Sequence, residues 1–96
     1  MSLPIRYSLR ARHELLDILD YIDQNFGRKK TKEIYQRLER AIDLISEAPE
    51  MYPESKKRKG LRRYVFSKQT SIYYRVNSDC IEIVSLRPNR KDPKNF

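Results

Sequence analysis

One cysteine, one histidine and no extended apolar run set the first limits on this 96-residue chain. With Cys80 alone no internal disulfide can form, and without paired cysteines or a His/Cys cluster there is no ligand set for a metal. No cofactor is expected either. Met1 to Ile5 lack the apolar stretch of a secretion signal, and no segment approaches the roughly 18–20 apolar residues that cross a bilayer, so a cytoplasmic protein without membrane attachment is expected. No internal repeat or low-complexity segment appears. The length fits one domain, residues 1–96, with room for a single core.

Positive charge is what the chain has in excess. Twenty-one Lys and Arg against thirteen Asp and Glu leave a formal charge of +8. Such an excess attracts nucleic acid through phosphate contacts and counterion release, and it steers acidic proteins equally well. Charge alone therefore leaves both kinds of target open.

Apolar periodicity supplies the architecture. Ala11, Leu15, Ile18, Leu19, Ile22 and Phe26 fall on one helical face, with Ser8 placed to cap the start and Gly27 to close the end. After a basic turn, Arg28 to Lys30, the residues Ile34, Leu38, Ala41, Ile42 and Ile45 form a second stripe. Glu33 and Arg37 are spaced as an i,i+4 ion pair, and Pro49 ends the helix. A connection this short predicts an antiparallel helical hairpin.

Beyond Pro49 the pattern changes to a loop carrying Lys56, Lys57, Arg58 and Lys59, and then to three β-rich runs at 61–66, 71–76 and 81–86. With Ile5 to Tyr7 as a short first strand, the expected fold is α+β, in the order β-α-α-β-β-β. The helical hairpin would pack on a small, largely antiparallel twisted sheet. Alternation places Arg62, Tyr64 and Phe66 opposite Leu61, Arg63 and Val65, and Ile72, Tyr74 and Val76 opposite Ser71, Tyr73 and Arg75. One face then meets the helices while the other presents Arg and Tyr. Residues 87–96, with Pro88 and Pro93, are expected to form an extended basic tail.

Several of these segments resemble the RelE/ParE superfamily of toxins from type II toxin–antitoxin systems. Ala11, Glu14, Leu15, Ile18 and Tyr21 are similar to its A-x-x-(D/E)-L-x-x-I-x-x-Y opening, and Tyr35 through Pro49 to its second helix. Gly60-Leu61-Arg62-Arg63-Tyr64 resembles its Gly-x-Arg strand start, Ile72-Tyr73-Tyr74-Arg75-Val76 its I-x-Y-R-V strand, and Ile81-Glu82-Ile83 with Arg90-Lys91-Asp92-Pro93 its last strand and R-x-(D/N)-P tail. The resemblance implies a growth-inhibiting toxin of the plasmid-stabilisation type, neutralised by a cognate antitoxin.

Two chemistries follow from that resemblance. RelE-like members are ribosome-dependent, metal-independent mRNA endonucleases, whereas ParE-like members bind and poison DNA gyrase; the shared scaffold does not choose between them. The catalytic candidates for RNA cleavage are Arg62, Arg63, Arg75 and Arg90. Lys57, Arg58, Arg62, Tyr73, Arg75, Arg87 and Arg90 are candidates for contact with a target or with nucleic acid. Arg90 and Phe96 are spaced like the cation and aromatic of the RelE tail, but Phe96 lacks the hydroxyl a tyrosine would offer. Arg and Tyr have ordinary pKa values of about 10 or above, a poor basis for proton transfer. Helix lengths, the Tyr-Arg-Val strand and the Arg-Lys-Asp-Pro tail resemble the ParE branch. The plainest alternative is a non-toxic nucleic-acid-binding module.

For several single residues a structural role is expected. Arg62 and Arg63 must point to opposite faces, so one of them is expected to pair with a helix carboxylate such as Glu39 or Asp43. His13 reads as a solvent-facing helix residue and Cys80 as a small apolar filler.

Overall fold

Ser8 starts the first helix as the spacing requires. Its backbone is extended, and its Oγ accepts a hydrogen bond from the Ala11 N–H at 3.0 Å, satisfying a donor that the first helical turn leaves open. The computed structural model describes residues 3–88 and runs β1 (Ile5–Tyr7), α1 (Leu9–Phe26), α2 (Arg28–Glu47), β2 (Arg62–Val65), β3 (Thr70–Val76) and β4 (Ile81–Pro88). This is the expected order of elements. Among the described residues no helix is long and apolar enough to cross a membrane.

The helical hairpin is tighter than expected. Gly27 alone separates the helices, at φ 90°, a backbone conformation that L side chains rarely adopt. Its N–H donates to the Asp23 carbonyl, and its own carbonyl accepts from both the N–H and the Oγ1 of Thr31. Arg28 to Lys30, expected as a turn, therefore form the first turn of α2. Cations there oppose the helix dipole at a cost of a few tenths of a kcal/mol each. Lys30 offsets part of it by pairing with Glu33 at 3.8 Å. Arg37, expected to pair with Glu33, lies instead with its guanidinium 5.1 Å from the centre of the Phe66 ring.

Leu38, Ala41, Ile42 and Ile45 of α2, with Ala11 of α1, pack against Ile72, Tyr74, Ile81, Ile83 and Leu86 of the sheet. Phe26 shares the α1 stripe in sequence but is 62% exposed at the tip of the hairpin. The sheet order is β1-β4-β3-β2, with β2–β3 and β3–β4 antiparallel and β1 parallel to β4. That parallel pair follows from the topology, because the helical hairpin carries the chain across between β1 and the remaining strands.

β4 is longer than the sequence pattern indicated. Arg87 and Pro88, expected in the tail, continue the strand opposite Ser71 and Thr70. Proline is tolerated there because a strand end makes little demand on its missing N–H. The rest of the tail, including Arg90, Lys91, Asp92, Pro93 and Phe96, lies outside the described residues.

Candidate functional site: the outer face of the sheet

The two neighbouring arginines of β2 part company. Arg62, opposite the buried Tyr74, sends its Nη1 to the carbonyls of Tyr52 (2.6 Å) and Glu50 (3.2 Å). Its partners are loop carbonyls, where a helix carboxylate had been expected. The same loop is held by Tyr74, whose hydroxyl donates to the Pro49 carbonyl, and by an edge-on contact between the Tyr52 and Tyr64 rings. Burial raises the Tyr74 pKa to about 12, with Arg62 pulling the other way. This is an anchoring cluster on the helix side of the sheet.

Arg63 occupies the opposite face. It lies across from Tyr73, and its Nε donates to the Oγ of Ser71 at 2.9 Å. Ser71, itself fully buried, faces Arg87 across the β3–β4 ladder, so Arg63, Ser71 and Arg87 lie on the side of the sheet turned away from the helices. Tyr73 is half-buried there, while Tyr74 is fully buried on the other side. The two tyrosines divide as alternation requires.

The cationic loop reaches the same face. Gly60, at φ 81°, lets the chain fold back, so that Leu61 N–H donates to the Arg58 carbonyl and Arg58 N–H to the Ser55 Oγ. Arg58 is brought over the Tyr73 ring, 5.7 Å from its centre, while Lys57 remains exposed. Arg75 pairs with Glu82 across the ladder at 3.5 Å, and both side chains keep substantial exposure. The outer face therefore gathers Arg58, Arg63, Tyr73, Arg75 and Arg87. Arg62 is not brought to it, and Arg90 lies beyond the described residues.

The pairing of Arg75 with Glu82 is not visible in either strand alone, although Tyr-Arg-Val opposite Ile-Glu-Ile carries it once the register is known. His13 is exposed on α1 and Cys80 is buried, as expected. No group of His, Cys, Asp and Glu among the described residues is arranged to hold a metal.

A second surface lies at the hairpin tip. Ile18, Tyr21, Ile22, Phe26 and Phe66 line a groove of about 310 Å³, and Lys30 and Arg37 stand among its walls.

A helical hairpin over a mixed four-stranded sheet is the arrangement of the RelE/ParE fold. The chain belongs to the ParE toxin family: the family described as "ParE toxin of type II toxin-antitoxin system, parDE" matches residues 5–93. Toxin ParE1 of Caulobacter vibrioides is 34% identical over 74 residues, 76% of each chain. Among solved structures, the chromosomal ParDE system from P. aeruginosa superposes with a TM-score of 0.80 at 15% identity, covering 93% of this chain and 98% of that one. A YoeB/ParE toxin from Agrobacterium tumefaciens gives 0.62 at 12% identity over 92% and 100% of the two chains. The E. coli DinJ–YafQ toxin–antitoxin complex gives 0.61 at 10% identity over 92% and 93%. At such identities the structural likeness speaks for the fold alone, and the ParE assignment rests on the family match and the Caulobacter relative.

Proposed function

We propose that this ParE-like toxin acts by binding, poisoning DNA gyrase or a similar target through the outer face of its sheet, and that a cognate antitoxin neutralises it. The observation that carries the reading is the state of the outer-face cations. Arg63 is held on Ser71, Arg58 on the Tyr73 ring and Arg75 on Glu82, so the guanidiniums form a fixed surface. A surface of this kind loses little conformational freedom on docking to an acidic partner. It offers little to acid–base catalysis, because Arg and Tyr ordinarily titrate at about 10 or above. The groove between hairpin tip and sheet supports a second contact: its apolar wall suits a hydrophobic antitoxin segment, and Lys30 and Arg37 suit acidic residues flanking it.

The test is purified toxin assayed in parallel for gyrase supercoiling and for cleavage of messenger on translating ribosomes. Supercoiling should stall while messenger stays intact, and antitoxin should restore the enzyme. Replacing Arg63 and Arg87 together by Ala should weaken inhibition roughly ten- to a hundredfold, the loss expected for two charged contacts. Codon-phased messenger cuts with supercoiling untouched would instead identify the RelE-like endonuclease. Induced expression without growth arrest would leave the nucleic-acid-binding module.

A further inference from the structure

Arg87 reaches the outer face only because β4 changes phase. Tyr74 pairs with Ile83 but Tyr73 pairs with Ser85, which leaves Val84 as an extra residue, a β-bulge. Strict alternation from the buried Ile83 would turn Ser85 and Arg87 toward the helices and Leu86 outward. With the bulge, Leu86 lies opposite Ile72 in the core, and Arg87 lies opposite Ser71 on the outer face.

The bulge sits where β4 loses its other neighbour. β1 pairs only with Ile81, Glu82 and Ile83, and beyond it the chain has turned into α1. The start of that helix then takes over the exposed strand edge. Ser8 N–H donates to the Ile83 carbonyl at 2.9 Å, and Ser8 Oγ donates to the Val84 carbonyl at 2.7 Å. In the second turn of the helix, Glu14 Oε1 accepts from the Ser85 Oγ (2.9 Å) and the Leu86 N–H (3.0 Å), while its Oε2 lies 3.6 Å from Arg10 Nε. One carboxylate thus takes the Leu86 N–H in place of the missing strand and ties down the Ser85 hydroxyl beside it. Hydrogen bonds to an ionised acceptor are the stronger kind, and an uncompensated strand N–H beside the core is costly.

We propose that Glu14 is a positioning residue, which pins the bulge at Val84 and so fixes the phase that delivers Arg87 to the outer face beside Arg63 and Ser71. The functional half of this inference rests on that face being the one that engages the target. The structural half stands on the strand register alone.

Three variants test it by residue-resolved hydrogen exchange, with growth arrest measured in parallel. Glu14→Gln keeps an acceptor at Oε1 and should keep both Leu86 protection and arrest. Glu14→Leu removes the acceptor, and Glu14→Asp retains the charge but withdraws it by about one bond length. In both of these the Leu86 amide should exchange at least about tenfold faster relative to the Ile72 amide of central β3. Arrest should weaken as much as in Arg87→Ala, and combining either with Arg87→Ala should add little further loss. Should Glu14→Leu fail to fold, the Asp variant gives the same reading. Unchanged Leu86 protection in Glu14→Asp, or failure of Glu14→Gln to keep it, overturns the proposal. If Leu86 responds as described while Arg87→Ala leaves arrest intact, the register assignment stands and the outer-face reading of function fails.

Discussion

Replacing Arg62 by Met removes a guanidinium and leaves a side chain of comparable length, so it isolates what that group does for the loop between α2 and β2. Two carbonyls lose their donor. The bond to Tyr52 at 2.6 Å is partly buried, and the one to Glu50 at 3.2 Å is exposed, where water replaces it readily. A charged hydrogen bond contributes about 1.5–3 kcal/mol when buried, so the half-buried bond dominates and the total loss should be about 2 kcal/mol. For a chain of this size that lowers Tm by roughly 10 °C. Urea titration should show a lower midpoint at unchanged slope, and exchange should quicken across residues 50–55. Arg63→Met, on the outer face, should lose about 1 kcal/mol or less from its bond to Ser71. If Arg62→Met is as stable as the parent, or if Arg63→Met is the more damaging, the division of the two arginines between anchor and surface is wrong.

Two further outcomes follow from the same side of the sheet. Burial raises the Tyr74 pKa from 10.0 to about 12, so the folded state favours the neutral phenol; the stability this contributes is whole below pH 10 and is lost as pH climbs toward 12. Tyr74→Phe should flatten this alkaline limb while costing about 1–2 kcal/mol at neutral pH through the stranded Pro49 carbonyl, both visible in denaturation midpoints measured against pH. Ser8→Ala removes the cap on Ala11 N–H and the donor to Val84, and should cost about 1–2 kcal/mol, read as a fall in Tm with faster exchange in the first turn of α1.

How much of this was legible beforehand depends on whether the cause is local. The cap at Ser8, the positive φ of Gly27 and the apolar stripe of α2 follow from single residues or fixed spacings, and all three are present. The boundary at Arg28 was misread because three cations look like a turn, while one glycine with φ 90° already reverses the chain. The exposure of Phe26 and the stacking of Arg37 on Phe66 depend on where the hairpin tip meets the β2–β3 turn, which no helical spacing encodes.

The candidate site shows the same divide. Alternation alone separated Arg62 from Arg63 and Tyr73 from Tyr74, because successive side chains on a strand must face opposite ways. Which arginine took the helix side of the sheet depended on the packing of Tyr74 and on the loop carbonyls beside it.

Composition and periodicity by themselves determined that this chain is basic, that two amphipathic helices precede a three-stranded meander, and that arginines and tyrosines alternate along its strands. These are properties of neighbours in sequence, set by side-chain chemistry and by the repeat of helix or strand. Tertiary structure decided that β1 pairs with β4, that Val84 bulges, and that Glu14 caps the strand 71 and 72 residues away. Those outcomes rest on contacts between distant segments, and a single added residue in β4 reverses which face every later side chain occupies.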